Sequence, residues 1–134
     1  MLKKVQELQE LKLLFVEDEV DLIKIISETL DKLNFNYLIA NNGQDGLDKL
    51  AQHDDVDIII TDINMPIMTG VEMIESIRQN SHYQDIEIVI MSAYTEKSIV
   101  DQVEKLGVKN YLYKPFDFIK FIDLISDIKI KKEL

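Results

Sequence analysis

The sequence predicts an α/β domain built on one doubly wound sheet of five parallel strands, in the order 2-1-3-4-5. Two observations carry this. Five short apolar runs alternate along the chain with longer stretches of helical spacing. The residues that punctuate them stand where helices start and stop. Strict alternation of this kind requires a parallel sheet covered by helices on both faces, and right-handed crossovers wind it in both directions. Five strands and no Gly-rich first turn favour this order over the Rossmann order.

The strands are expected over residues 11–16, 37–40, 57–61, 86–91 and 108–112. The continuous run Ile58-Ile59-Ile60 suits a central strand buried on both faces. Leu22, Ile23, Ile26, Leu30 and Leu33 share one face of the helix after the first strand. Leu47 and Leu50 mark the next helix, and Val71, Ile74 and Ile77 the one after it. Ile99, Val100, Val103 and Leu106 mark the helix after the fourth strand. Ile119, Ile122 and Ile125 mark the last, whose apolar arc is widened by Phe118, Phe121, Leu124 and Ile128. That arc is read either as deeper burial or as a partner or dimer face. Asn42-Gly43 precedes the second of these helices, Gly70 opens the third, Gly107 closes the fourth and Pro115 stands at the start of the fifth. Thr95 is read as an N-cap of the fourth, and Lys129, Lys131 and Lys132 suit the negative end of the fifth.

At 134 residues the chain fits one domain, placed at residues 11–132. Residues 1–10 are read as an extension or linker, either a short helical lead-in or a linker's tail. A net charge of -10 opposes direct contact with nucleic acid and fits docking on proteins. The absence of cysteine excludes disulfide and thiolate chemistry. With no apolar run long enough for a membrane span and no signal peptide in the sequence given, a cytoplasmic location is expected. His53 and His82, in polar stretches without partner ligands, are read as surface residues. Met65 and Met68 are read as loop packing.

In a sheet of this kind sites form beyond the carboxyl ends of the strands. The first strand ends in Glu17-Asp18-Glu19, the third in Asp62, the fourth in Ser92, and the fifth just before Lys114-Pro115. Strands one and three are neighbours in the expected order, so Asp18 and Asp62 lie together with Glu17 nearby. Two carboxylates ~4 Å apart repel by about 4 kcal/mol at an effective dielectric of ~20, so the cluster calls for a cation or raised pKa values. All the available donors are oxygens, which selects a hard divalent ion, and Mg²⁺ is the natural choice. Lys114 brings a cation and Ser92 a hydroxyl to the same edge. Carboxylate nucleophile, metal, cation and hydroxyl together describe phosphoryl transfer to an aspartate. For each residue alone a plainer role competes: Asp18, Glu19 and Asp21 at a helix's positive end, Asp62 in a turn before Pro66, Ser92 as a cap, Lys114 as a solvated lysine.

Four strings, in order and each at a strand end, resemble CheY-like response-regulator receiver domains of bacterial two-component systems. Residues 61–70, Thr-Asp-Ile-Asn-Met-Pro-Ile-Met-Thr-Gly, resemble their phosphorylation segment, and Phe15-Val16-Glu17-Asp18-Glu19 their acidic turn. Met91-Ser92-Ala93 resembles their switch hydroxyl segment, and residues 111–116, Tyr-Leu-Tyr-Lys-Pro-Phe, their fifth-strand segment. The resemblance implies that a sensor histidine kinase, phosphotransfer protein or small phosphodonor supplies a phosphoryl group to Asp62. It implies that Asp18, Asp62 and the backbone carbonyl of Asn64 bind Mg²⁺, with Glu17 acting mainly through water. Lys114 contacts the phosphoryl group, and Ser92 and Tyr111 form a coupled switch. Downstream partners, or a second copy, then meet the face made by the fourth helix, fifth strand and fifth helix. Glu17 departs mildly from the pattern, since aspartate is commoner there. Tyr94 and Asn64 occupy positions that tune phosphoryl lifetime in the family.

Three other functions are weighed. An aspartate-nucleophile phosphatase of the haloacid-dehalogenase type needs Asp-x-Asp, and here Asn64 cannot act as the acid/base. An FMN binder of flavodoxin type needs a hydroxyl- and Gly-rich loop where this chain has three acids. A degenerate receiver, binding partners without phosphorylation, is the remaining alternative.

Overall fold

The computed structural model describes residues 2–93 and 96–132. In chain order these form α1 (Leu2–Leu8), β1 (Lys12–Val16), α2 (Val20–Lys32), β2 (Asn36–Ala40), α3 (Gly43–Gln52), β3 (Ile58–Thr61), α4 (Gly70–Gln79), β4 (Glu87–Ser92), α5 (Lys97–Lys105), β5 (Asn110–Tyr113) and α6 (Phe118–Lys132). A 3₁₀ turn, Ser81–Tyr83, follows α4. The five strands are parallel and lie in the order β2-β1-β3-β4-β5, as expected.

Strand alternation sorts side chains onto two cores. On one face Leu13 and Phe15 of β1, Ile58 and Ile60 of β3, and Val89 and Met91 of β4 pack under α1, α2 and α6. On the other, Leu14 and Val16, Ile59, and Ile88 and Ile90 pack under α3, α4 and α5. Every one of these side chains is at most 1% exposed. At about 1.5–3 kcal/mol for each fully buried side chain of this size, the two cores are the main source of stability. Glycine permits a close approach of two helices: a Cβ on Gly46 would stand 2.6 Å from the Met73 sulfur, so α3 and α4 meet closely there.

Each strand is shifted by one or two residues at an end, and two of these boundaries, together with the start of α6, show the local reason. Leu11 is not in β1; its amide closes the turn after α1 onto the Leu8 carbonyl at 3.1 Å. Val108 precedes β5 because its amide bonds back to Val103 at 2.9 Å, around Gly107 at φ +83°. Pro115 does not start α6. It lies in the preceding loop, its peptide with Lys114 cis, and Asp117 caps the helix by accepting from the Lys120 amide at 3.1 Å. Ser92 is the last residue of β4 and so is not a cap. Thr95 and Tyr94 lie outside the described residues.

The wide apolar arc of α6 has an intramolecular answer along much of its length. Phe121, Ile122, Ile125 and Ile128 are buried, and α1 packs beside them with Val5 and Leu8 only 4% and 1% exposed. Lys4 pairs with Asp123 at 3.0 Å, and the Lys129 ammonium donates to the Glu7 carbonyl. Ile119 and Ile130 remain on the surface. His82 is exposed, and His53 is half-buried with its Nδ1 3.2 Å from the Lys12 ammonium.

Candidate functional site

Glu17 and Asp62 are brought together by ladder bonds that run one residue past the strands. Val16 and Thr61 are register partners. The Asp62 amide then donates to the Val16 carbonyl at 3.0 Å, and the Glu17 amide to the Ala40 carbonyl at 2.9 Å. At the other side Ser92 pairs with Tyr113, and the Lys114 amide donates to the Ser92 carbonyl at 3.0 Å. Backbone pairing alone therefore sets the acidic turn, Asp62, Ser92 and Lys114 along one edge.

The loop after Asp62 is closed just as tightly. The Gly70 amide donates to the Ile63 carbonyl at 2.8 Å, and a Cβ on Gly70 would stand 2.2 Å from the Asp62 carbonyl oxygen. Thr69 caps α4 in a reciprocal capping box with Glu72. Within the loop Ile67 is 83% exposed at φ 70°, a left-handed conformation that costs a β-branched residue about 1–3 kcal/mol.

Lys114 is the hub. Its ammonium lies 2.9 Å from Asp62 Oδ2, 3.1 Å from Glu17 Oε1 and 3.8 Å from Glu19 Oε2. Asp62 Oδ1 accepts from the Ile63 amide at 2.7 Å. Glu17 is fully buried, and its Oε2 folds back to accept from the amides of Asp18 at 3.1 Å and Glu19 at 3.0 Å. Its Oε1 takes no well-aimed hydrogen bond, so the approach of Lys114 there is ionic. Burial pushes the Glu17 carboxyl above its ordinary pKa of 4.5, and the Asp62 charge adds to this, against the Glu19 amide and Lys114. For Lys114 burial works downward, but the hydrogen bond to Asp62 and the ion pair with Glu17 outweigh it and hold the ammonium above its ordinary 10.5.

Glu17, Asp18 and Asp62 each offer a carboxylate oxygen, all within 4.8 Å of one another. Three oxygen donors, one of them on a fully buried side chain with an oxygen lacking a hydrogen bond, are the donor set a hard divalent cation takes. Asn64 stands exposed in the same loop. Ser92 is 5% exposed at the end of β4. Tyr111 is half-buried against the α3–α5 core, and its hydroxyl is buried without a hydrogen-bond partner. Tyr113 stacks on it with ring centroids 6.5 Å apart and planes inclined by 13°.

Residues 13–126 match the family model of the response regulator receiver domain. The chain belongs to that family. Two chemotaxis proteins agree: a CheY homolog of Campylobacter jejuni and CheY1 of Helicobacter pylori are each 36% identical over 107 residues. That is 79% of this chain, and 82% and 86% of theirs. The solved structure of CheY4 from Vibrio cholerae superposes with a TM-score of 0.73 at 27% identity, over 92% of this chain and 97% of that one. This receiver is thus a CheY-like domain of two-component signalling, a signalling domain rather than a conventional enzyme. Among the described residues no helix is long and apolar enough to cross a membrane.

Of the residues expected at the receiver's site, the structure gathers Glu17, Asp18, Asp62 and Lys114 into one cluster. Sequence reasoning placed Glu19 at a helix terminus and missed its reach to Lys114. The only signal was the unbroken run of three acids at a strand end.

Proposed function

We propose that Asp62 accepts a phosphoryl group and that the receiver signals through the state of this residue. The observation that supports this best is the placement of the Asp62 carboxylate, 9% exposed at the end of β3, with Lys114 at 2.9 Å and two further carboxylates beside it. A carboxylate oxygen of Asp62 attacks phosphorus in line while the bond to the donor's leaving atom breaks. The Ile63 amide on Oδ1 and the ammonium on Oδ2 hold the nucleophile in one orientation. Lys114 also neutralises charge on the phosphoryl oxygens.

Asp18, Asp62 and the Asn64 carbonyl would hold Mg²⁺, with Glu17 completing the acidic shell. When bound, that ion supplies positive charge against the phosphoryl oxygens. Ser92 and Tyr111 respond: the Ser92 hydroxyl turns to a phosphoryl oxygen, and Tyr111 moves into the space this leaves. An unpartnered buried hydroxyl costs about 1–3 kcal/mol, so the Tyr111 conformer seen here is not held by a hydrogen bond of its own. The surface of α5, β5 and α6 changes with it, as a population shift between two packings. A sensor histidine kinase or phosphotransfer protein is the donor. An effector protein or domain, or a second copy of the chain, reads that surface.

Borohydride reduction converts a phosphoaspartate to homoserine, so peptide mapping after reduction locates the label. Homoserine is expected at position 62 alone; conversion at Asp18 or Asp57 instead would overturn the assignment.

A further inference from the structure

We propose that Glu19 is a specificity-determining residue of this site, one that disfavours small dianionic phosphodonors. This rests on the reading of Asp62 as the phosphoacceptor. Glu19 is the N-cap residue of α2, yet its side chain makes no capping bond. Its carboxylate lies instead 3.8 Å from the Lys114 ammonium, with the side chain 60% exposed. Glu19, Lys114, Ala93 and Pro115 line the same open groove of about 490 Å³. The carboxylate thus stands on the solvent side of Lys114, beside the cation that also touches Asp62 and must meet the incoming phosphoryl group.

Two consequences follow from elementary electrostatics. A negative charge there repels an anion in proportion to the anion's charge, and salt screens the repulsion. It also draws Lys114 toward the turn and away from the position where a phosphoryl oxygen would sit. A protein donor is affected less, because its charge can be balanced by its own surface.

The probes are acetyl phosphate and phosphoramidate. With the first, an Asp62 oxygen bonds to phosphorus as the phosphorus–oxygen bond breaks and acetate leaves with the electron pair. With the second, the phosphorus–nitrogen bond breaks and the nitrogen, already protonated in the donor, leaves as ammonia. Acetyl phosphate is a dianion near neutral pH, and phosphoramidate carries one net negative charge. A unit charge ~6 Å from a dianion in water changes the rate about threefold at ~0.15 M salt, more at low salt and less for a monoanion.

The experiment follows phosphorylation rates by intact mass, at Mg²⁺ concentrations saturating for each variant. Glu19→Gln is expected to react about threefold faster with acetyl phosphate, by a smaller factor with phosphoramidate, with the gain shrinking as salt is raised. Glu19→Asp keeps the charge and stays near wild type. Glu75→Gln, removing an exposed charge on α4, leaves both rates unchanged. Labelling of wild type at Asp62 with no gain in Glu19→Gln, or an equal gain with both donors at every salt, overturns the role of Glu19 alone. Absence of labelling in wild type takes down the phosphoacceptor reading and this inference together.

Discussion

At Glu17, burial and charge pull against each other. The side chain has no exposed surface, and its carboxyl holds its proton above the ordinary 4.5 mainly because burial penalises the anion. The folded state therefore binds more protons than the unfolded chain just above pH 4.5. Without Mg²⁺, Glu17's contribution to stability is therefore fully present below that pH and is lost as pH rises through the raised folded-state value. Urea unfolding of the metal-free chain should show this fall as pH is raised above about 4.5, and Glu17→Gln should lose it. Identical pH profiles for the two proteins would place the burial cost elsewhere. Gly70 makes a steric prediction at the same scale. A Cβ there meets the Asp62 carbonyl at 2.2 Å and Ile63 Cα at 3.1 Å, both backbone. Gly70→Ala should cost about 1–3 kcal/mol or somewhat more by urea denaturation, and should slow phosphorylation by displacing the loop after Asp62. A variant of wild-type stability would show that the loop and α4 can separate freely.

Among the elements, α1 and the ends of the strands show where a sequence reading stops. The alternation of apolar runs and helical faces was enough for the five strands and their order, because burial on two faces writes itself into composition. Strand ends were displaced by one or two residues because backbone partners decide them. Leu11 and Val108 look like strand residues but are used by turns. Helix α6 begins after Asp117 and not at Pro115; the local signal, an aspartate able to accept from the amide three residues on, was present but outweighed in the reading by the proline. The clustering of Glu17, Asp18, Asp62 and Lys114 was legible because a parallel sheet brings all its carboxyl ends to one edge. The reach of Glu19 to Lys114 was not, since it depends on side-chain directions 95 residues apart. Nor was the use of α1, whose few apolar residues have meaning only against α6. Leu8 is 1% exposed in the core cluster, so Leu8→Ala should lower stability by about 2–4 kcal/mol in urea unfolding. A loss below ~0.5 kcal/mol would show α1 to be a loosely attached lead-in.

Taken whole, the molecule separates two tasks by direction along the strands. The two cores and α1 hold the sheet rigid, while the carboxyl edge carries the acids, the lysine and the loops. A chain of net charge -10 gathers three of its acids around one lysine, an arrangement that is costly without a cation. Under the proposed function, a bound metal ion and the anionic group it helps to hold would offset that cost. The most direct test is intact mass after incubation with phosphoramidate, with and without Mg²⁺, for wild type and Asp62→Asn. Wild type should gain the mass of one phosphoryl group only with Mg²⁺, and Asp62→Asn should gain nothing while keeping its fold by circular dichroism. An unmodified wild type at saturating Mg²⁺, or a variant labelled as well as wild type, would contradict phosphoryl transfer to Asp62.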